Sequence, residues 1–599
     1  MSDLPESPAP AQPAKDVPIS TREALRHGTR LLREVVPLRW KAIALTLLCV
    51  VGVSGFTGAL ANSTKLVVDD VFGAGHQGAA LRVALIIIGV AIGKSFFQYF
   101  TEVMNVVLKR SVSVGYQKQL FATVIRQELG FFSNQHAATQ MVMVQMLGQS
   151  AGQAVVDVCN RMTVEILTLL ALFTVMVLQD PVLALFACLC VPPILWLVSR
   201  LSQRIRTLAT TDAGLAAMFF SVGSEVLRGI KTVKSFQLER KSVARFNTAM
   251  EALEERGLQF ARVTASTVPI IEFLGGLMIG SFVVLASWLI ASTDRTAGEF
   301  TAFLTAFLMA YKPAERLSAV WVEVQKSLMF VRQMYGQLDR APQEKPYGTR
   351  TLDGAAPSVT LTDVSFSYGE GAPALRDVSL SIAPGERIAV VGRSGAGKST
   401  LIDILQRFYD PQQGQVALGG IDLRELSREG LHDAVALISQ DVFLFDGSLA
   451  ENIAHGHPGA SRAQLERAAR IAQLDSLIAR LPDGLDSPVG PNGSALSGGQ
   501  RQRLSIARGV AKQAKVYIFD EITSALDGAN ERAVMAALVS ELKDATLIFV
   551  THRASTLAYV DRVLVLADGQ VAGFNVADRL MQECPAFRAL FQVPEDPQG

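Results

Sequence analysis

An all-α membrane domain of six helical spans, fused to an α/β domain, is the fold class that three observations predict. The first is hydropathy: 49% of the 599 residues are apolar and mean hydropathy is +0.29, high for a soluble chain. The second is the division of charge. Residues 1–340 carry 32 Lys and Arg against 24 Asp and Glu, and the remainder carries 24 against 31, although the whole chain has a net charge of only +1. A basic, apolar half followed by an acidic half reads as a membrane domain followed by a soluble one. The third is a change of pattern after a polar linker at 341–357, where short apolar strands such as Ile388–Val391 begin to alternate with helices, as in a mainly parallel sheet.

Taken in order, residues 1–19 are rich in Pro, Ala, Ser and acids and are expected to be disordered, and no secretory leader pattern opens the chain. Ser20–Glu34 reads as a basic amphipathic helix suited to a membrane surface. The membrane domain, 20–340, then has apolar runs at Ala42–Ala61, Val83–Leu108, Val155–Leu178, Val182–Val198, Val268–Ile290 and from Phe300 onward, the last clean only to Tyr311. Gln179-Asp180-Pro181 marks a tight turn between the third and fourth. An even count returns the chain to its starting side. The segments around 109–150 and 200–262 hold most of the loop arginines and lysines, whereas the short opposite loops hold Lys65 and Arg295. This bias places the N-terminus, both long loops and everything after the sixth span in the cytoplasm. Cys49, Cys159, Cys188, Cys190 and Cys584 lack metal spacing and read as small hydrophobes.

Charges inside the spans call for partners. Counted from the outer ends of antiparallel spans, Lys94 matches Glu165 in depth and Glu102 matches Arg161. Two interhelical ion pairs are therefore expected. The alternative is that Lys94 faces a central cavity and meets an anionic cargo headgroup, with Phe97 and Phe100 among the aromatic residues lining that cavity.

The chemistry lies between 358 and 599. Gly392, Arg393, Ser394, Gly395, Ala396, Gly397, Lys398, Ser399 and Thr400 follow a strand and open a helix, the context a phosphate-binding loop requires. Backbone amides there cradle phosphates, Lys398 reaches the β/γ oxygens and Ser399 ligates Mg2+. Asp520 ends an apolar strand and suits Mg2+, and Glu521 can polarise an attacking water. His552 ends the next strand. Ser497 can cap a helix whose first residues, Gly498 and Gly499, let phosphate approach the amides before Gln500. One nucleotide does not need two anion sites in one subunit, so the second is expected to serve a partner's nucleotide.

Ala495–Arg503, between that loop and the acidic strand end, resembles the LSGGQ signature of ATP-binding cassette (ABC) ATPases, and the chain from 20 to about 570 resembles bacterial ABC exporter half-transporters of lipid-flippase and multidrug type. The resemblance implies that Tyr368 stacks on adenine, that Gln440 senses Mg2+, that His552 contacts the γ-phosphate and that Asp527, in Ser524–Asp527, lies in the loop that crosses to the partner. It also makes Leu129–Phe132 and Gly229–Phe236 resemble coupling segments. It implies ATP and Mg2+ as cofactors and a second copy of the chain as partner, with a heterodimer left open. Membrane lipids and an amphipathic lipid or hydrophobic cargo, exported or flipped across the inner membrane, complete the picture, with peptides or glycans as alternatives and no nucleic acid. A non-transporting ABC ATPase is disfavoured by the spans; an ATP-gated channel or regulator differs in passing flux without strict coupling to hydrolysis. Two departures stand out. Val489-Gly490-Pro491-Asn492-Gly493 replaces the usual acidic element before the signature, and Gly573-Phe574-Asn575 replaces a common Gly-x-His.

Overall fold

The structure, a computed structural model, describes residues 21–73, 78–133, 137–188, 229–265, 267–290, 296–339, 347–352, 356–369 and 371–591, with 223, 225–227 and 354 between them. The expected tail at 1–19, the fourth span beyond residue 188, Cys190, Arg200, Arg204 and Arg206 lie outside these residues. The chain divides into two compact units, Met1–Glu344 and Lys345–Gly599.

The first unit is helical. Thr21–Leu66 is one long helix with Pro37 inside it and a non-helical residue, Arg39 (φ −125°, ψ 21°), two positions later. Proline removes a backbone donor and crowds the preceding turn, so the basic segment before it is redirected relative to the apolar run after it. Ala79–Val124 spans 46 residues, roughly 70 Å at about 1.5 Å per residue, more than twice a bilayer's apolar thickness. Ala137–Gln179 is continuous but wound as π-helix over Asp157–Met162. The expected turn follows: Asp180 Oδ1 accepts from Val182 N (2.9 Å) and Leu183 N (3.1 Å), so Pro181 begins a capped helix. Among the described residues three helices are long and apolar enough to cross a membrane: Arg26–Phe72, Ala79–Val124 and Gln140–Gln179. The fifth apolar run falls on Thr267–Ile290. The sixth falls on Ala297–Leu338, which opens with a capping box between Thr296 and Glu299.

Small residues let these helices approach. The Phe97 ring covers Gly52 and the Phe56 ring covers Gly93, with the two rings stacked 5.8 Å apart. Gly152 faces the backbone of the second helix: a Cβ there would sit 2.5 Å from Lys109 O. Nearby, Leu31, Val35, Tyr116, Leu120, Leu147, Ala151, Val331 and Tyr335 form one buried cluster from four helices.

The charge pairing differs from expectation. Glu165 lies 3.7 Å from Arg316, and Arg161 pairs with Asp157 of its own helix at 3.2 Å. Neither Lys94, half-buried, nor Glu102, exposed, has an ion-pair partner among the described residues. Equal depth along two helices does not set the direction in which each side chain leaves its axis, and here the azimuths turn the groups elsewhere.

In the second unit, a four-stranded antiparallel sheet has the order β2-β1-β4-β5, from β1 (Val359–Phe366), β2 (Leu375–Ile382), β4 (Gln413–Leu418) and β5 (Ile421–Asp422). A six-stranded sheet has the order β10-β9-β3-β8-β7-β6, from β3 (Arg387–Val391), β6 (Val435–Ile438), β7 (Val516–Asp520), β8 (Thr546–Val550), β9 (Arg562–Ala567) and β10 (Gln570–Asn575). All its neighbours are parallel except β10, which runs antiparallel to β9. Helices cover its faces, and β3, β7 and β8 are almost wholly buried, as parallel strands require.

The glycine contacts separate two outcomes for the membrane unit. Gly152→Ala should destabilise it by about 1–3 kcal/mol through overpacking against Lys109 O. Gly115→Ala, with nothing within 4 Å of the added carbon, should be neutral or stabilising by about 0.5–1 kcal/mol. Thermal melts of the detergent-purified variants measure the difference; shifts of the same sign would refute this account of the contact.

Candidate nucleotide site

The parallel sheet sets the geometry of the site. Ile438 pairs with Phe519, Phe519 with Phe549, and Val390 with Val550. Two residues beyond each paired position stand Gln440, Glu521, Thr551 and Gly392, with His552 next after Thr551. Adjacent strands lie about 4.8 Å apart, so side chains distant in sequence emerge at one edge.

Beyond β3, Gly395 (φ +83°) and Gly397 (φ +99°) take left-handed backbone, and a Cβ on Gly397 would lie 2.6 Å from Ala374 O. The helix Lys398–Leu405 starts at Gly397 with no side-chain cap, which leaves its first amides to an anion. Lys398 Nζ donates to Gly392 O (2.7 Å) and Arg393 O (3.1 Å), so the ammonium folds back across the loop. Arg393, Ser394 and Ser399 are exposed, while Ala396 and Thr400 are buried.

Glu521 sits immediately after β7 with φ +50°, a conformation that side-chain-bearing residues rarely adopt. Its amide donates to Val550 O (2.9 Å). The turn aims its carboxylate between two side chains: Gln440 Nε2 donates to Oε2 at 2.9 Å, and His552 Nδ1 lies 3.4 Å from Oε1. Asp520 is pushed up to about 6 by burial and by the charge of Glu521, with Asp403 and Asp441 adding to the effect and Lys398 opposing it. A half-buried carboxylate in a negative field, with only β8 between its strand and the one that leads into the Ser399 loop, suits a divalent cation, which would relieve that field. These residues fit Mg2+.

Tyr368 is 47% exposed and stands edge-on to Phe366 and Tyr409, with its hydroxyl donating to Asp403 Oδ2 at 2.9 Å. Burial and the Asp403 charge push the phenol up to about 12.

Ser497 caps the helix Gly498–Ala511 through a complete capping box: Gln500 N donates to its hydroxyl (3.3 Å) and Ser497 N to Gln500 Oε1 (2.7 Å). Gly499 packs on the backbone of Ala525. Asp527 in turn caps Gly528–Glu541 through Asn530 N (2.9 Å). The segment replacing the usual acidic element forms a turn in which Asn492, at φ +50°, accepts from Leu444 N (3.3 Å), so it is tied to the chain just after Gln440. Three features were beyond sequence reasoning: the left-handed Glu521, the Tyr368–Asp403 bond and a pairing of Arg553 with Glu531, whose guanidinium also reaches Ser524 O. The only signal was proximity, Arg553 being next to His552.

Two family models match: the ABC transporter model at 375–524 and the ABC transporter transmembrane region at 43–313. An ATP-dependent lipid A-core flippase of Burkholderia pseudomallei is 31% identical over 97% of this chain and 98% of that protein. The chain belongs to the ABC transporter family. The flippase of the same name from Chromohalobacter salexigens is 33% identical over 94% of this chain and 97% of that one. The chain also resembles a solved structure described as a bacterial Atm1-family ABC exporter with ATP bound, with a TM-score of 0.81 at 25% identity, covering 92% of this chain and 98% of that one. It is thus an ABC exporter half-transporter: a multi-pass membrane domain fused to an ATP-binding ATPase domain that drives export, of a kind that acts as a dimer.

Gly397→Ala tests the loop, because an added methyl meets Ala374 O at 2.6 Å in a left-handed residue. Affinity for a fluorescent ATP analogue should fall at least about tenfold, the equivalent of about 1.4 kcal/mol. Unchanged affinity in equilibrium titration would show that the loop does not need this backbone.

Proposed function

We propose that two copies of this ABC exporter form two composite ATP sites and use hydrolysis to flip or export an amphipathic lipid or hydrophobic compound across the inner membrane. The lipid reading rests on one observation: proteins named lipid A-core flippases match nearly the whole chain, membrane half included, at 31–33% identity. The N-terminus and the ATPase domain face the cytoplasm, as the loop charges imply.

In each site the amides of Gly392–Thr400 bind the ATP phosphates, Lys398 swings from Gly392 O to the β/γ oxygens, and Tyr368 supports adenine. Ser399, Asp520 and Gln440 would hold Mg2+, which would supply neutralisation of phosphate charge. Glu521 orients and polarises the attacking water, His552 steadies the γ-phosphate, and Gln440 holds Glu521 in place. Ser497, Gly498, Gly499 and Gln500 of one copy close over the other copy's nucleotide, with Asp527 at the crossing loop. The contacts of Glu521 to Gln440 and of Gly499 to Ala525 support this division of roles. In the membrane, Lys94 and Phe100 contact cargo. Phe97, seated on Gly52, positions the second span.

Glu521→Gln should keep ATP binding and lower steady-state turnover by roughly 10²–10⁴-fold; near-wild-type turnover would remove Glu521 from this role. In mixed dimers, Ser497→Arg and Lys398→Ala on opposite copies should damage one shared site and spare the other. On a single copy the same two changes should damage both sites. Equal nucleotide occupancy in the two arrangements would argue against sites shared between copies. Cargo class is read from ATPase stimulation in reconstituted membranes by lipids, drugs and peptides; stimulation by peptides alone would replace the lipid reading.

A further inference from the structure

We propose that a pocket on the first helix binds the phosphate of an anionic phospholipid headgroup, drawn from the leaflet at the N-terminal side, through Arg26 and Arg33. The pocket has a volume of about 560 Å³ and is lined by Arg26, His27, Arg30, Arg33, Glu34 and Asp339, with Thr29 at its edge. It belongs to the first unit, whereas the nucleotide site belongs to the second, and it does not depend on the cargo reading.

The three arginines stand at i, i+4 and i+7, on one face of the helix. Arg30 is fully engaged. Its two terminal nitrogens donate to Asp339 at 2.6 and 2.9 Å, its Nε donates to Glu34 at 2.9 Å, and its guanidinium lies 4.0 Å over the Tyr335 ring. Glu34 also accepts from Tyr116 (2.9 Å) and Tyr335 (2.8 Å). Both carboxylates of the pocket are therefore committed to Arg30 and the tyrosines. Arg26 and Arg33 have no carboxylate partner among the described residues, and with Arg30 they bring three positive charges to a pocket that holds two carboxylates. Forked guanidiniums suit a phosphate oxygen pair.

The source of the phosphate follows from what lies next along the chain. Val36, Leu38 and Trp40 are 38%, 78% and 60% exposed, between Arg33 and the run starting at Ala42. An exposed Trp flanked by Arg39 and Lys41 is the composition of a bilayer interface. The non-helical Arg39 breaks the helix between the arginines and the apolar run that starts at Ala42. Basic pockets beside membrane helices bind headgroups in this way.

The test uses the full-length exporter in phosphatidylcholine nanodiscs containing a trace of photoactivatable phosphatidylglycerol or photoactivatable phosphatidylcholine, with the labelled peptide identified by mass. Wild type should label the segment 21–41 preferentially with the acidic lipid. Arg26→Gln with Arg33→Gln should reduce that preference by roughly fivefold per arginine, from about 1 kcal/mol per basic residue at a charged surface, while Arg26→Lys with Arg33→Lys should keep most of it. Preference undiminished in the glutamine variant would overturn the proposal. Displacement of the label by inorganic phosphate as readily as by unlabelled phosphatidylglycerol would overturn the lipid assignment in favour of a free anion. If the glutamine variant does not fold, wild type still decides: acidic preference should fall with rising salt, and a salt-independent preference would refute the site. Loss of cargo stimulation would leave this labelling unchanged, so the two readings fail separately.

Discussion

The ATP site depends on the in-register alignment of four parallel strands. Because β6, β7, β8 and β3 run the same way and pair without a bulge, their carboxyl ends finish within a residue or two of one another. Gln440, Glu521, His552 and the phosphate loop inherit their proximity from that alignment. A slip of one residue in any strand would turn the buried face outward and carry its end residue out of reach. The buried apolar residues of β3, β7 and β8 thus do more than stabilise the unit: they hold the Glu521 carboxylate within hydrogen-bond distance of Gln440 and bring His552 beside it.

The nucleotide half was legible because its motifs state their own context. A glycine-rich loop between a strand and a helix, and an acidic pair ending a strand, each specify backbone geometry, and the structure has that geometry at Gly397 and Asp520. Less was legible where a role depends on a torsion or on a distant partner. Nothing in Asp520-Glu521 says that the second residue turns left-handed, and nothing in Tyr368 says that its hydroxyl is bound to Asp403. Nor does the replacement of the acidic element by Pro491-Asn492-Gly493 say what the new segment binds. Asn is among the few residues at ease with positive φ, and there it spends its amide oxygen on Leu444 N.

The membrane half was legible as helices and not as contacts. Hydropathy marks a span by composition, and depth follows from counting. The facing of each side chain depends on rotation about the axis, which apolar runs with weak amphipathicity do not encode. Hence Lys94 and Glu165 matched in depth and yet do not meet. What does organise these helices is steric: Phe97 on Gly52, Phe56 on Gly93, and Gly152 against the Lys109 backbone. In lipid, where apolar surface gains little by leaving the solvent, close approach of small residues is the main source of helix–helix attraction.

Two helix N-termini in the ATPase domain are prepared for anions in different ways. The helix at Lys398 begins after a left-handed glycine and has no side-chain cap, so its first amides are available as a group. The helix at Gly498 has a capping box, which satisfies the amide of Gln500 and leaves those of Gly498 and Gly499. Ser497 accepts from Gln500 N, so the hydroxyl's own hydrogen remains to be donated, and no acceptor for it stands among the described residues. A site with one hydroxyl donor and two amides suits a single terminal phosphate, whereas the longer loop at Gly392–Thr400 suits a chain of them. No hydrogen bond joins the two sites within the chain among the described residues. The smaller site is thus fitted to a terminal phosphate held elsewhere, as the proposed pairing of two copies requires.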